Sequence, residues 1–114
     1  MQVGYGVIAS YFFPESQNEN LQQATQDLIH HLHATNPGLQ TSNNVRQMRV
    51  DGNPAYLTML ANSSPLNGAE EVDALLTVQR PEGVFYMIFI APQSEFRNLQ
   101  GVFNQMVQSI RFRG

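Results

Sequence analysis

His30, His31 and His33 are the only histidines in the chain and lie within one helical turn of each other, so metal ligation is the first chemistry to consider. On a helix they diverge: His30 projects opposite the Leu21/Leu28/Leu32 stripe, with His31 on one flank and His33 on the other. No HExxH motif is present, and Asp27 is the one carboxylate at helical spacing with them. A solvated helix end accounts for the three, because imidazoles near a helix C-terminus interact favourably with its dipole. Glu70, Glu71 and Asp73 form an acidic cluster of the kind that can divide acid and base roles or hold calcium. In an extended chain Glu71 and Asp73 share one face and Glu70 takes the other, which reads as a solvated strand end. Gly4-Tyr5-Gly6 precedes a strand instead of joining strand to helix, so it is not a phosphate loop. The seven serines include no Gly-x-Ser-x-Gly elbow, and a Ser-His-Asp triad has no support. Asn62-Ser63-Ser64 has the form of a glycosylation acceptor and marks a surface loop. No residue is assigned a catalytic, cofactor-binding or metal-binding role.

Composition narrows the remaining classes. The 114 residues suffice for one domain with one continuous core. Charged residues make up only 13% of the chain, about half the usual share. Lysine is absent, and 22 asparagines and glutamines supply the polar surface instead. A net charge of -3 with six scattered arginines provides no field for phosphate backbones, which excludes nucleic acid as a partner. Without cysteine there is neither a disulfide framework nor a thiolate metal site. The longest apolar run, Val84 to Ala91, falls far short of the ~20 residues a spanning helix needs, so the chain itself does not insert into a membrane. Its N-terminus has no charged n-region followed by an apolar h-region and begins almost directly with a strand. That start suits a domain excised from a longer protein, although a short cytosolic protein could begin the same way.

The elements follow from periodicity and turn residues. Gly6 to Phe13 is β-branched and aromatic and is stopped by Pro14, which predicts a strand. Ser16 and Glu19 have capping-box spacing, and Leu21, Ala24, Thr25, Leu28 and Leu32 recur at helical intervals up to Asn36-Pro37-Gly38. A polar loop is expected over Leu39 to Asn44, then a strand over Val45 to Val50. Asp51-Gly52-Asn53-Pro54 makes a turn, and Ala55 to Ala61 the returning strand of a hairpin with a longer loop. Val72 to Arg80 alternates, with Val72, Ala74, Leu76 and Val78 on an apolar face and Asp73, Leu75, Thr77 and Gln79 on a mixed one. Pro81-Glu82-Gly83 turns the chain into Val84 to Pro92, which is apolar throughout and therefore central, with a helix on each side of the sheet. Ser94 is the expected N-cap of a second helix, with Glu95 in its first turn and Phe96, Leu99, Val102, Phe103, Met106, Val107 and Ile110 on one face. Arg111 to Arg113 reads as a short last strand. The fold class is thus α+β: a mainly antiparallel sheet of five to six strands flanked by two helices. Phe12, Phe13, Tyr56, Phe85, Tyr86 and Phe89 could line a small-molecule pocket between sheet and helix. An uncharged, amide-rich surface is also cheaper to desolvate against a protein partner than a lysine-rich one.

With these elements in place the chain resembles the C-terminal domain of bacterial, notably acidobacterial, HtpX-like zinc metallopeptidases with helical repeats. The resemblance runs from Gly6-Val7-Ile8-Ala9 through Arg49-Val50-Asp51-Gly52-Asn53-Pro54-Ala55 and Leu76-Thr77-Val78-Gln79-Arg80-Pro81-Glu82-Gly83. It continues to Phe103-x-x-Met106-x-x-Ser109-Ile110-Arg111-Phe112, and the Thr77 to Gly83 segment is its most specific part. The closing helix and the Gly-x-Pro-Ala turn are similar to the wider PsbP/Mog-like α/β/α sandwich. In such peptidases the zinc is held by an HExxH helix in a separate upstream domain, so the resemblance implies a non-catalytic accessory domain spanning residues 1–114. The implied partner is another protein or the rest of its own parent chain. The implied location is the periplasmic or extracellular side of the cell envelope.

Overall fold

The computed structural model describes residues 6–13, 20–35, 38–63, 70–81 and 83–112. In chain order the elements are β1 (Gly6–Phe12), α1 (Leu21–Thr35), β2 (Gln40–Val50), β3 (Asn53–Ser63), β4 (Glu70–Arg80), β5 (Gly83–Pro92) and α2 (Gln93–Ser109). The strands form one sheet in the order β1-β5-β4-β3-β2, with every neighbouring pair antiparallel. β1 and β2 are the two edges, so the segment carrying α1 crosses the sheet from one edge to the other.

Register follows from the turns. Asp51 and Gly52 both have positive φ, 49° and 79°, and Val50 pairs directly with Asn53. This is a two-residue turn of the twist that suits a hairpin, shorter than the longer loop its sequence suggested. Asn53 Nδ2 closes it by donating to the carbonyls of Val50 and Asp51. The polar stretch expected to be a loop over Leu39 to Asn44 instead enters β2 at Gln40, with a register break between Thr41 and Val45. A bulge lets a polar segment stay in the ladder without forcing each side chain into a strict alternation.

Strand alternation then sorts side chains to two faces. One holds Ala74, Leu76, Val78, Met87, Phe89 and Ala91 under α2, whose Phe103 and Val107 are buried against them. The other holds Leu75, Ile88 and Leu60 under Leu28 and Ile29 of α1. The helices cover opposite faces, as the two-sided apolar character of β5 required. The most deeply buried strand, however, is the middle one, β4, whose residues 73–78 are all buried. Its mixed face takes Asp73 and Thr77 inside as well.

Three end effects depart from expectation. The Ser16/Glu19 box lies outside the described residues; α1 is capped by Asn20, whose Oδ1 accepts from the Gln23 amide at 2.7 Å. α2 begins at Gln93 directly after Pro92, so Ser94 is inside the helix and caps nothing. Pro92 is still paired with Glu71 in the ladder, which leaves no turn residue between strand and helix. Residues 111 and 112 are not a strand. The Phe112 amide donates to Asp51 Oδ2 at 2.8 Å, and its ring receives the Arg80 guanidinium at 4.3 Å and Phe85 at 5.3 Å. The described sheet therefore has five strands, and the end of the chain is tied to the β2–β3 turn.

Gly83 opens β5 at φ +150°, a region that L side chains rarely adopt. A Cβ there would stand 2.8 Å from Phe13 Cδ1 and 3.2 Å from the Phe12 carbonyl oxygen. Gly83→Ala is expected to cost about 1–3 kcal/mol. In a thermal melt it should lower Tm by roughly 5–15 °C, whereas an unchanged Tm would mean that the turn relaxes freely.

Candidate binding groove

The α1 face is not equally covered along its width. One cross-strand row runs Ile8, Ile88, Leu75, Thr58, Val45 and the next Ser10, Tyr86, Thr77, Tyr56, Gln47. Under the middle of the sheet the first row is apolar; toward the β2 edge it passes through the Thr58 hydroxyl to Val45, and the second carries the hydroxyls of Thr77 and Tyr56 and the amide of Gln47. α1 buries Leu21, Ala24, Thr25, Leu28 and Ile29 and keeps Gln22 and Gln26 exposed. The result is an open groove between α1 and the β2–β3 hairpin.

Two adjoining cavities make up the groove. One of about 400 Å³ is lined by Leu21, Gln47, Met48, Arg49, Pro54, Ala55 and Tyr56. The other, of about 280 Å³, is lined by Gln22, Thr25, Gln26, Val45, Gln47, Tyr56 and Thr58. Tyr56 and Gln47 belong to both, with Gln47 Nε2 at 3.4 Å from the Tyr56 hydroxyl. Among the described lining residues Arg49 is the only charged one, and its guanidinium donates to the Gly52 carbonyl at 3.2 Å.

The back wall is held by hydroxyls. Thr25 and Thr77 Oγ1 are 2.7 Å apart and buried, and Thr77 donates onward to the Tyr56 carbonyl at 3.4 Å. With Thr77 donating to that carbonyl, Thr25 is the donor in the pair, which pins α1 to β4. Thr58, 1% exposed, has an Oγ1 without a hydrogen-bond partner among the described residues. Such a group carries a desolvation cost of about 1–3 kcal/mol and stands immediately behind the groove. The arrangement has donors and acceptors of both kinds, one aromatic ring and almost no net charge. Such a lining can exchange hydrogen bonds with a neutral polar segment.

The residues singled out by type fare differently. His30, His31 and His33 are all exposed, and His31 rests 5.6 Å from the Phe12 ring. No group of three or more His, Cys, Asp or Glu side chains among the described residues could hold a metal ion. The six candidate pocket aromatics are divided: Phe85 and Phe89 lie on the α2 face, Phe12, Tyr56 and Tyr86 on the α1 face, and Phe13 is exposed. Only Tyr56 lines the groove. Asn62 and Ser63 end β3 instead of forming a loop, and Asn62 pairs with Glu71.

Asp73 is the main departure from the sequence reading. It is not a solvated strand end but 6% exposed, between Leu60 and Ile90 on the α1 face. Burial pushes its carboxyl up to about 7, and the charge of Glu71 and a hydrogen bond to it push the same way. The sequence placed Glu71 and Asp73 on one face. It carried no signal that the second would be buried on the α1 side of the sheet while the first stayed partly exposed.

A scan against protein-family models matches none, and no curated protein matches the chain. Solved structures do match. PA94 of Pseudomonas aeruginosa, a protein of unknown function, superposes with a TM-score of 0.71 at 10% identity, covering 100% of this chain and 86% of that one. Cyanobacterial PsbP from Synechocystis sp. PCC 6803 gives 0.66 at 11% identity, covering 96% of this chain and 66% of its own. The fold is PsbP-like. LpqN, involved in cell envelope biogenesis of Mycobacterium tuberculosis, gives 0.60 at 21% identity, over 92% of this chain and 60% of that one. The chain thus spans less than two thirds of the length of the PsbP and LpqN chains, and at these identities the likeness concerns the PsbP-like fold alone.

Of the groove residues, Thr25 and Tyr56 were visible in the sequence only as a stripe member and an aromatic. Gln47, Thr58 and Arg49 carried no functional signal. The usable clue was Asp51-Gly52: a two-residue turn there dictates that Gln47 faces Tyr56 and Val45 faces Thr58.

Proposed function

We propose that this chain is a non-catalytic interaction module that binds a partner segment in the groove between α1 and the β2–β3 hairpin. The observation that carries the proposal is the lining itself, amides and hydroxyls around Tyr56 with Arg49 as the one charged group among the described lining residues, open to solvent. The sparsely charged surface supports it, since amides exchange water for a partner at lower cost than ammonium groups do. The module belongs, in this proposal, to the C-terminal part of an exported zinc metallopeptidase, with the partner either another envelope protein or the parent chain. The support for that attachment is the sequence resemblance centred on Thr77 to Gly83. The involvement of LpqN in cell envelope biogenesis is consistent with it.

A photo-reactive residue in place of Gln47, with a control in place of the exposed Gln108 on α2, tests the groove in source cells. An adduct from position 47 and none from 108 is the expected result; equal labelling, or none from 47, overturns the assignment. Intact mass separates the attachment from the groove. A polypeptide several times the 12.8 kDa of this chain, in the envelope fraction and with HExxH upstream, supports it, and a 12.8 kDa cytosolic species removes it.

A second reading, a small-molecule carrier, is favoured by one observation: the 400 Å³ cavity falls within the ~300–1,000 Å³ range of ligand pockets. A carrier should gain stability as RT ln(1 + [L]/Kd). No thermal shift across a broad metabolite panel would dispose of it.

A further inference from the structure

We propose that two copies of this chain associate through β1, pairing the strand antiparallel with itself into a continuous ten-stranded sheet. Among the described residues β1 pairs only with β5, so within them its outer edge presents backbone amides and carbonyls without ladder partners. Natural edges are guarded by charge, proline, bulges or short length. β1 has none of the first three along Gly6–Phe12: its sequence is GVIASYF, and its seven residues pair with β5 without a register break. The opposite edge is guarded, because β2 carries Arg46 and Arg49 and the bulge between Thr41 and Val45. Two β2 edges would bring arginines together; two β1 edges bring no charge at all.

Side chains point the same way. Ile8 is 51% exposed, Tyr11 39% and Phe13 67%, and Tyr11 stacks on Phe13 with centroids 6.3 Å apart. Three of the five exposed large apolar residues among those described therefore lie on or just beyond this strand. An antiparallel self-pair has its two-fold axis perpendicular to the sheet, so each face continues into the same face of the partner. Ile8 and Ser10 then face the same pair of residues of the partner copy on the α1 side, while Ala9 and Tyr11 lie on the α2 side. The interface is isologous, and the groove at the β2–β3 side stays open in both copies, so this proposal stands or falls independently of the function proposed above.

Light-scattering mass across roughly a hundredfold range of protein concentration tests it, with Ile8→Lys on the β1 edge and Val45→Lys on the β2 edge as paired variants. Both positions are exposed, at 51% and 49%, and circular dichroism checks that both fold. The expected result is twice the 12.8 kDa chain mass at high concentration for the parent chain and Val45→Lys, and a single-chain mass for Ile8→Lys. A parent chain that stays monomeric overturns the proposal. So does a dimer that survives Ile8→Lys, or one that Val45→Lys also abolishes. Amide exchange on the unsubstituted chain gives a readout without any variant: β1 amides should slow at high concentration while β2 amides do not. Equal exchange in β1 at both concentrations also overturns it.

Discussion

Asp73→Asn is expected to abolish a fall in stability that the parent chain shows between about pH 4 and pH 7. An unfolded aspartate titrates near 3.9, whereas burial beneath the α1 face, with Glu71 beside it, holds the folded Asp73 carboxyl at about 7. Below pH 4 both states are protonated and the folded state bears no penalty. Between the two values the unfolded state has released a proton that the folded state still binds, so stability declines as pH rises. Above 7 the loss is complete, because the folded state then holds a buried carboxylate whose Oδ1 has no partner among the described residues. The loss should amount to a few kcal/mol, shared with Glu71 because the two carboxyls titrate as a pair. An asparagine amide cannot ionise, yet it can still donate to Glu71. Urea unfolding of both chains at pH 4.5 and pH 8 checks this: the variant should gain on the parent at pH 8 and not at 4.5. An equal slope in both would show that Asp73 is not the buried proton.

Phe103→Ala should cost about 3–5 kcal/mol, a large part of the ~5–15 kcal/mol available to a domain of this size. Phe103 is 2% exposed and packs against Phe89 with ring centroids 5.0 Å apart and planes tilted by 35°. It shares its cluster with Ala74 and Ala91, both 0% exposed. Alanines cannot grow into the vacated space, and the sheet beneath is held by ladders on both sides of β4, so the cavity would persist instead of collapsing. The neighbouring Val102 is 49% exposed, and Val102→Ala should change stability by no more than about 0.5 kcal/mol. Denaturant midpoints at constant m distinguish the two positions. Similar losses would mean that α2 is not docked through Phe103.

Local chemistry accounts for much of the architecture. The stripe from Leu21 to Leu28, the apolar face of α2 and the two-sided apolar run from Val84 are periodic signals, and periodicity is decided within a few residues. Boundaries were less legible. Gln40 to Asn44 looked like a loop because polar residues dominate it, and a bulged edge strand tolerates them. Ser94 looked like a cap because the sequence does not show that the ladder runs on to Pro92.

By itself the sequence determined an α+β domain with a mainly antiparallel sheet and two helices, and a strand apolar on both sides only suggested that the helices cover opposite faces. It also determined the sparse charge that makes the surface cheap to desolvate. Only tertiary structure decided that β4 occupies the centre, that Asp73 is buried on the α1 side of the sheet instead of in water, and that Gln47, Tyr56 and Thr58 share a groove with Gln22 and Gln26. Each depends on where α1 settles across four strands. That placement comes from long-range packing and the Thr25–Thr77 hydroxyl pair, which bridges residues 52 apart in the chain and leaves no periodic trace in it.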